Sequence, residues 1–157
     1  MLFKIELAKK ADSKQIFNLS NDNLVRKNSF NSDKIKWLDH LDWFENKINS
    51  ERTIFFVVKA VINNEFIGQV RFDKESEKDG SYFIAISLVE KFRGKSLGTM
   101  ILKEATKKAM NDFNIKKIFA YIKNNNKASL KCFINCDYKV FEKTIINGYN
   151  LTKLLYK

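Results

Sequence analysis

The stretch Ile86–Ala105, ISLVEKFRGKSLGTMILKEA, changes character twice. An apolar run closes at Leu88 and Val89. Arg93 to Gly98, RGKSLG, is short, basic and glycine-bearing. From there Ile101, Ala105 and, further on, Ala109 recur at the four-residue spacing of a helix stripe. A strand that turns into a helix presents several backbone N–H groups without intrahelical partners, and the helix dipole adds positive charge at the same place. Arg93 and Lys95 supplement that charge, and Gly94 and Gly98 let a ligand approach the backbone. The turn therefore suits an anion such as a diphosphate, or it is a plain connection with a basic surface. It is not a Walker loop, because no Gly-Lys-Ser/Thr follows a glycine and a four-residue spacer, and it lacks the three glycines of a dinucleotide fingerprint.

Working outward, "GSYFIAISL" (Gly80 to Leu88) is apolar on both faces, which predicts a central strand. Before it, "TIFFVVKAV" and "NNEFIGQVRFD" are β-branched and aromatic, and Asn63-Asn64 makes a hairpin turn between them, so these two strands are expected to be antiparallel. "FKIELA" (Phe3 to Ala8) reads as a first strand. Asp12, with Gln15 three residues on, reads as the N-cap of a helix running to about Asn21. "NDNLVRKNSFNS" is polar and irregular, a loop. Lys34 to Ile48 carries Trp37, Leu41, Phe44 and Ile48 at helical spacing. After the central turn and its helix come a strand, "IKKIFAYI", a short helix, "NKASLKCFINC", and two strands, "YKVFEK" and "YNLTKLLYK", around Asn147-Gly148. The order β-α-α-β-β-β-α-β-α-β-β predicts an α/β (α+β) domain over residues 1–157, a mixed sheet of about seven strands flanked by about four helices.

Composition bounds the function. The chain of 157 residues is 45% apolar and 30% charged, a globular balance sized for one domain. There is no apolar run of membrane-span length and no signal-peptide core near the start, so a cytoplasmic protein is expected. The net charge of +11 comes from lysines scattered through every segment, without the clustered, base-reading motif of a nucleic-acid binder. A general positive potential still favours encounter with phosphorylated small molecules. Cys132 and Cys136 are four apart in the late helix and lack the wider ligand set of a zinc site, so no metal is expected.

The succession "ISLVEKFRGKSLGTMILKEA", a strand, then "NNNKASLKCFINCDYKV" resembles the GNAT superfamily of acyl-CoA-dependent N-acetyltransferases. That resemblance implies an N-acetyltransferase that takes acetyl-CoA as cosubstrate and moves its acetyl group directly to a primary amine. It places Arg93, Gly94, Lys95, Ser96, Leu97 and Gly98 in a loop over the CoA pyrophosphate, with Ser96 where the family's loop has its first glycine. It implies that Leu88 and Val89 pair with the pantetheine arm, that a backbone N–H near Leu88 polarises the thioester carbonyl, and that Asn126 contacts pantetheine. Asn126 is equally suited to capping its helix. The family's usual general acid is a tyrosine, and Phe133 stands at its position. Either Tyr138 or a water protonates the thiolate, or the thiolate leaves unaided. No glutamate stands inside the central strand to act as base, so His40, the one histidine, is the base candidate by its ordinary pKa.

"VRKNSFNSDKIKWLDHLDWFENKI" and "GQVRFD" look like the substrate segments of a GNAT subgroup of nonulosonic-acid (pseudaminic and legionaminic acid) pathways. That implies an acceptor amine on a nucleotide-linked deoxyamino sugar, met by Arg26, Asn28, Ser29, His40, Trp43, Gln69 and Arg71. His40 and Trp43, three apart, share a helix face. Gln69 and Arg71, two apart on a strand, share a sheet face, where Arg71 would meet a phosphate or carboxylate. The alternative is that Trp43 and Phe44 are core and Arg71 a plain surface strand residue. The rival functions are acetylation of a protein N-terminus, a lysine, a polyamine or an aminoglycoside, and a non-catalytic acyl-CoA-binding or regulatory domain. The oligomer expected is a monomer or homodimer, with no nucleic-acid partner.

Overall fold

A computed structural model describes all of residues 1–157. Seven strands lie in one sheet, β1 (Phe3–Leu7), β2 (Thr53–Ala60), β3 (Phe66–Lys74), β4 (Tyr82–Leu88), β5 (Ile118–Lys123), β6 (Lys139–Ile146) and β7 (Tyr149–Tyr156), in spatial order β1-β2-β3-β4-β5-β7-β6. β4 is central, as its two-sided apolar pattern predicts. All neighbours are antiparallel except β4 and β5, whose crossover is the helix α4 (Leu97–Phe113). The Asn147-Gly148 turn has positive φ at both residues, 50° and 78°, which matches the twist of the β6–β7 hairpin.

There are five α-helices rather than four. The helices α1 (Ser13–Ser20) and α3 (Trp37–Ile48) were legible, and so were α4 and α5 (Lys127–Ile134). The segment read as a loop contains α2 (Asn23–Asn28), six residues whose N-cap Asp22 accepts from the N–H groups of Leu24 and Val25. So short a helix has no apolar period to reveal it. Asp12 is a second correction: it makes no cap bond to α1. Its carboxylate instead accepts the Lys9 N–H and pairs with Lys59 on β2 at 2.7 Å.

The sheet has two faces with separate cores. On the back face α4 lays Leu97, Ile101, Leu102, Ala105 and Ala109 against Phe56, Val70, Phe72, Ile84 and Ile118, within a cluster of 22 buried residues. Each fully buried side chain of Leu or Ile size stabilises the fold by about 1.5–3 kcal/mol. α4 ends at Asn114, which takes a left-handed φ of 53°. On the front face α1 and α3 bury Ile16, Leu19 and Phe44 against Phe55, Val57 and Phe66.

β3 is pressed tightly on β4 where Gly68 opposes Leu88. A Cβ on Gly68 would lie 2.4 Å from the Ser87 carbonyl oxygen and 2.6 Å from Leu88 Cδ2. The first neighbour is backbone and cannot swing aside. Gly68→Ala is therefore expected to destabilise the chain by about 1–3 kcal/mol, read as a lower midpoint in urea with an unchanged slope. A midpoint equal to wild type would mean that β3 and β4 are not packed this closely.

Candidate functional site

The site begins where the sheet opens. β4 and β5 are in register only at Tyr82–Ile118 and Phe83–Phe119. Beyond those pairs both strands run on, to Leu88 and Lys123, without pairing, so they diverge into a V. β4 stays fully paired with β3 on its other side. Val89 N–H bonds Ile67 O, and backbone groups alternate along an antiparallel strand. Those of Ser87 and Ala85 therefore turn to β3, while those of Ile86 and Leu88 turn into the V. Unpaired strand backbone in the middle of a sheet is costly unless something meets it, and an extended amide-bearing chain is the kind of ligand that would.

The turn RGKSLG closes the wide end of the V. Gly94 has φ of 71° and Ser96 of 57°, and the first helical N–H to find a backbone carbonyl is that of Met100, on Ser96 O at 3.4 Å. The N–H groups just before it, at the positive end of a 17-residue helix, form an anion seat. Ser96 carries the left-handed backbone that a glycine adopts freely, so the departure from the family's loop has a cost. Ser96→Gly is expected to stabilise the free protein by about 1 kcal/mol, measured as a raised thermal midpoint; a lowered midpoint would show that the hydroxyl has a role of its own.

Arg93 does not spend its charge in that seat. Its Nε donates to Leu88 O at 2.8 Å and its Nη2 pairs with Asp22 at 2.9 Å. The expectation that its guanidinium meets a pyrophosphate is corrected accordingly: it ties the turn to the start of α2. Although partial burial raises the Asp22 carboxyl, the N–H groups of Val25 and Leu24 and the Arg93 guanidinium hold it below its ordinary value. At the other end of α2, Lys123, the last residue of β5, donates to Lys27 O at 2.9 Å across the Tyr149 ring. The helix is thus strapped across the V, one anchor coming from each wall. Asn126, half-buried at the start of α5, accepts from the Ser129 N–H at 3.2 Å. It is an N-cap, and its amide NH2 donates to no group of the chain.

On the front face the β3 row Gln69, Arg71, Asp73 lies beside the β4 row Ser87, Ala85, Phe83. Ala85 is exposed although it sits in the centre of the sheet, so this face is open above β4. Arg71 borders the opening. Its guanidinium stacks 4.9 Å from the Trp43 ring centroid and 5.7 Å from that of Phe55, and its Nε pairs with Asp73 at 2.6 Å. Asp73 also accepts Lys47 Nζ at 2.6 Å and Thr53 Oγ1 at 2.9 Å. Burial raises its carboxyl, but Arg71 and Lys47 outweigh that and leave it below its ordinary value. Gln69, 8% exposed, donates to Ser87 Oγ at 3.0 Å. The two residues thus expected to share a face do so, while Ser87 carried no signal, since its partner Gln69 is distant in sequence, and Asp73 draws Lys47 and Thr53 from elsewhere in the chain.

Other expected residues lie elsewhere. His40 is 1% exposed and boxed by Phe17, Trp37, Trp43 and Phe44, with Nε2 on Ser13 O at 2.9 Å. Burial lowers its pKa, and the ring meets neither the V nor the opening over Ala85. Tyr138 is 1% exposed on the back face, its hydroxyl on Thr106 Oγ1 at 2.8 Å and its ring on Phe133; burial pushes its pKa up. The catalytic roles expected of both are corrected: they are packing residues, because aromatic rings bury more apolar area than a surface site would return. Arg26 and Ser29 are also engaged, Arg26 with Ser20 O, Asn31 O, Asp33 O and Ser29 Oγ, and Ser29 with Val25 O. They brace their own segment. Asn28, half-buried at the end of α2, makes no side-chain bond and remains available. No three His, Cys, Asp or Glu side chains come together as a metal site, and no helix is long and apolar enough to cross a membrane.

The family model described as an acetyltransferase (GNAT) domain matches residues 4–139. Comparison with curated proteins finds no match. Among solved structures, spermidine N-acetyltransferase from Vibrio cholerae in complex with CoA and spermine superposes with a TM-score of 0.88 at 16% identity, covering 98% of this chain and 94% of that one. A dodecameric structure of the spermidine N-acetyltransferase from Vibrio cholerae gives 0.80 at 16%, covering 98% and 92%. A structure assigned as a phosphinothricin N-acetyltransferase gives 0.79 at 21%, covering 98% and 97%. At such identities these likenesses show the fold.

Proposed function

From the premise that the chain belongs to the GNAT acetyltransferase family, we propose that it acetylates the primary amine of an anionic acceptor, a nucleotide-linked deoxyamino sugar, using acetyl-CoA. The proposed cofactor contacts are the Leu88 N–H along the pantetheine arm, the N–H groups of the turn Gly94–Gly98 on the pyrophosphate, and the Asn126 amide; the expected Val89 contact is corrected, because its N–H bonds Ile67 O and its carbonyl accepts the Phe92 N–H. The bound thioester supplies an activated acetyl group; the chain supplies an oriented slot for it.

The observation that carries the acceptor is Arg71. It stands over Trp43 at the open part of the sheet, beside Ala85; Asp73 takes only its Nε, and Nη1 and Nη2 bond no group of the chain, so an aromatic ring and a cation together suit a sugar bearing a phosphate or carboxylate. A polyamine acceptor is favoured by the names of the spermidine acetyltransferases that share the fold. A polycation, however, needs free carboxylates, and here Asp73 is taken up by Arg71, Lys47 and Thr53, and Glu75 accepts from the Tyr121 hydroxyl.

Thiol release from acetyl-CoA, measured with a UDP-linked 4-amino-4,6-dideoxy sugar and with spermidine, tests this. Turnover of the sugar nucleotide at a kcat/KM about 100-fold above spermidine is expected, a difference near 2.7 kcal/mol. Preference for spermidine would overturn the acceptor, and CoA binding without turnover of either would favour a non-catalytic domain. Arg71→Ala is expected to raise the acceptor KM about tenfold and spare acetyl-CoA affinity; the reverse pattern would remove Arg71 from the acceptor side.

A further inference from the structure

An amine that attacks a thioester must lose a proton, and neither His40 nor Tyr138 is placed to take it. We propose that Ser87 is the catalytic residue that carries this proton out, with Gln69 as its positioning residue. The inference rests on acetyl transfer at β4 and not on the identity of the acceptor.

The geometry comes from the alternation of β4. Leu88 turns its backbone into the V, while Ser87, one residue earlier, directs its side chain to the front face, as its bond to Gln69 on the neighbouring strand requires. The same face carries exposed Ala85 two residues away. An acceptor lying over Ala85 and reaching toward the thioester at Leu88 therefore passes the Ser87 hydroxyl. Gln69 is held in place by burial: it is 8% exposed, lies between Val57 and Ser87 in the sheet, and encloses its Oε1 without a partner. Its Nε2 donates to Ser87 Oγ at 3.0 Å. That bond occupies one lone pair of the hydroxyl and leaves a second lone pair and the proton. Ser87 can accordingly accept from the amine and donate to water in the same instant.

The step balances. The amine nitrogen forms a bond to the acetyl carbon, and the carbonyl π electrons move to its oxygen. One N–H proton passes to Ser87 Oγ as the hydroxyl proton passes to water on the open face. The carbonyl re-forms, the C–S bond breaks, and the thiolate takes its proton from solvent. No carboxylate or imidazole is required, which accords with the absence of a glutamate from β4.

Hydroxylamine is the probe, because it is a small amine that needs no fitted acceptor pocket; its acetylation is followed as hydroxamate. Wild type is expected to accelerate the reaction. Ser87→Ala should lower kcat by about 10- to 100-fold, with the KM for acetyl-CoA within about twofold of wild type and its affinity intact. Ser87→Thr should restore most of the rate, and Gln69→Leu should lower kcat several-fold while adding little to Ser87→Ala. The solvent deuterium isotope effect on wild-type kcat should vanish in Ser87→Ala. The proposal is overturned if Ser87→Ala keeps its rate within twofold, or if threonine is no better than alanine. It is overturned equally if wild type gives no acceleration, since no amine would then reach the thioester past Ser87. Loss of preference for the sugar nucleotide over spermidine would touch only the acceptor.

Discussion

Gly98→Glu is expected to weaken acetyl-CoA binding by about 100-fold or more while the chain stays folded. Gly98 has an ordinary helical backbone, and a Cβ there would meet Leu88 Cδ1 at 3.4 Å and Cys132 Sγ at 3.9 Å, normal van der Waals distances. The fold therefore tolerates a side chain at this position. What it places there is a carboxylate in the first turn of α4, among N–H groups that have no other partner. The carboxylate would satisfy those donors itself and repel a diphosphate, and a helix N-terminus rewards the nearer anion. The hundredfold loss corresponds to about 2.7 kcal/mol. Isothermal titration with acetyl-CoA, beside a thermal melt, reads both halves of the prediction. Gly98→Ala should bind nearly as wild type, which separates charge from bulk. Unchanged affinity in a folded Gly98→Glu variant would remove this turn from the cofactor site.

A second large effect is expected at Asp73. Asp73 is buried, and its carboxylate gathers Arg71 from β3, Lys47 from α3 and Thr53 from β2. Asp73→Leu would leave two partly buried cations without their counter-ion, a change that costs about 3–5 kcal/mol when one partner of a buried pair is removed. It should appear as a large fall in the urea midpoint and as freed motion of Arg71 over Trp43. The same group shapes the acid limb of stability. Its folded carboxyl lies below the ordinary value of 3.8, so its contribution is complete above that pH and is lost as pH falls through the folded value. Wild type should lose stability over this window and Asp73→Leu should lose less of it. Identical acid limbs would show that Asp73 is not the group whose protonation matters.

The strands and the main helices were readable because their signals are local. β2 and β3 are β-branched runs about an Asn-Asn turn, and α4 repeats a small apolar side chain every turn. The turn Arg93–Gly98 was readable for the same reason, as glycines, charge and a helix start in a few residues. Even the strain at Ser96 follows from one position, a serine where a glycine is expected, and the left-handed φ of 57° is its physical form. α2 was missed because Asp22 makes it by side-chain capping and because Arg93 and Lys123, 71 and 96 residues from their partners, hold it in place.

Side-chain roles were the least legible. The ordinary pKa of a histidine made His40 look like a base, but four aromatic rings from α1 and α3 close around it. Arg26 and Arg93 looked like anion ligands, and the carbonyls and the carboxylate that occupy them come from elsewhere in the chain. Serine is so common that Ser87 has no signal, until the register of β3 against β4 sets Gln69 beside it. By itself, the sequence determined the order of the seven strands and of four of the five helices, the strand-to-helix turn and the central place of β4, because periodicity and turn chemistry act between near neighbours. Only the tertiary structure decided which polar groups stay free for a ligand. Burial and hydrogen bonding are settled between strands and helices that meet in space, and there a donor already satisfied by a distant carbonyl has nothing left to offer.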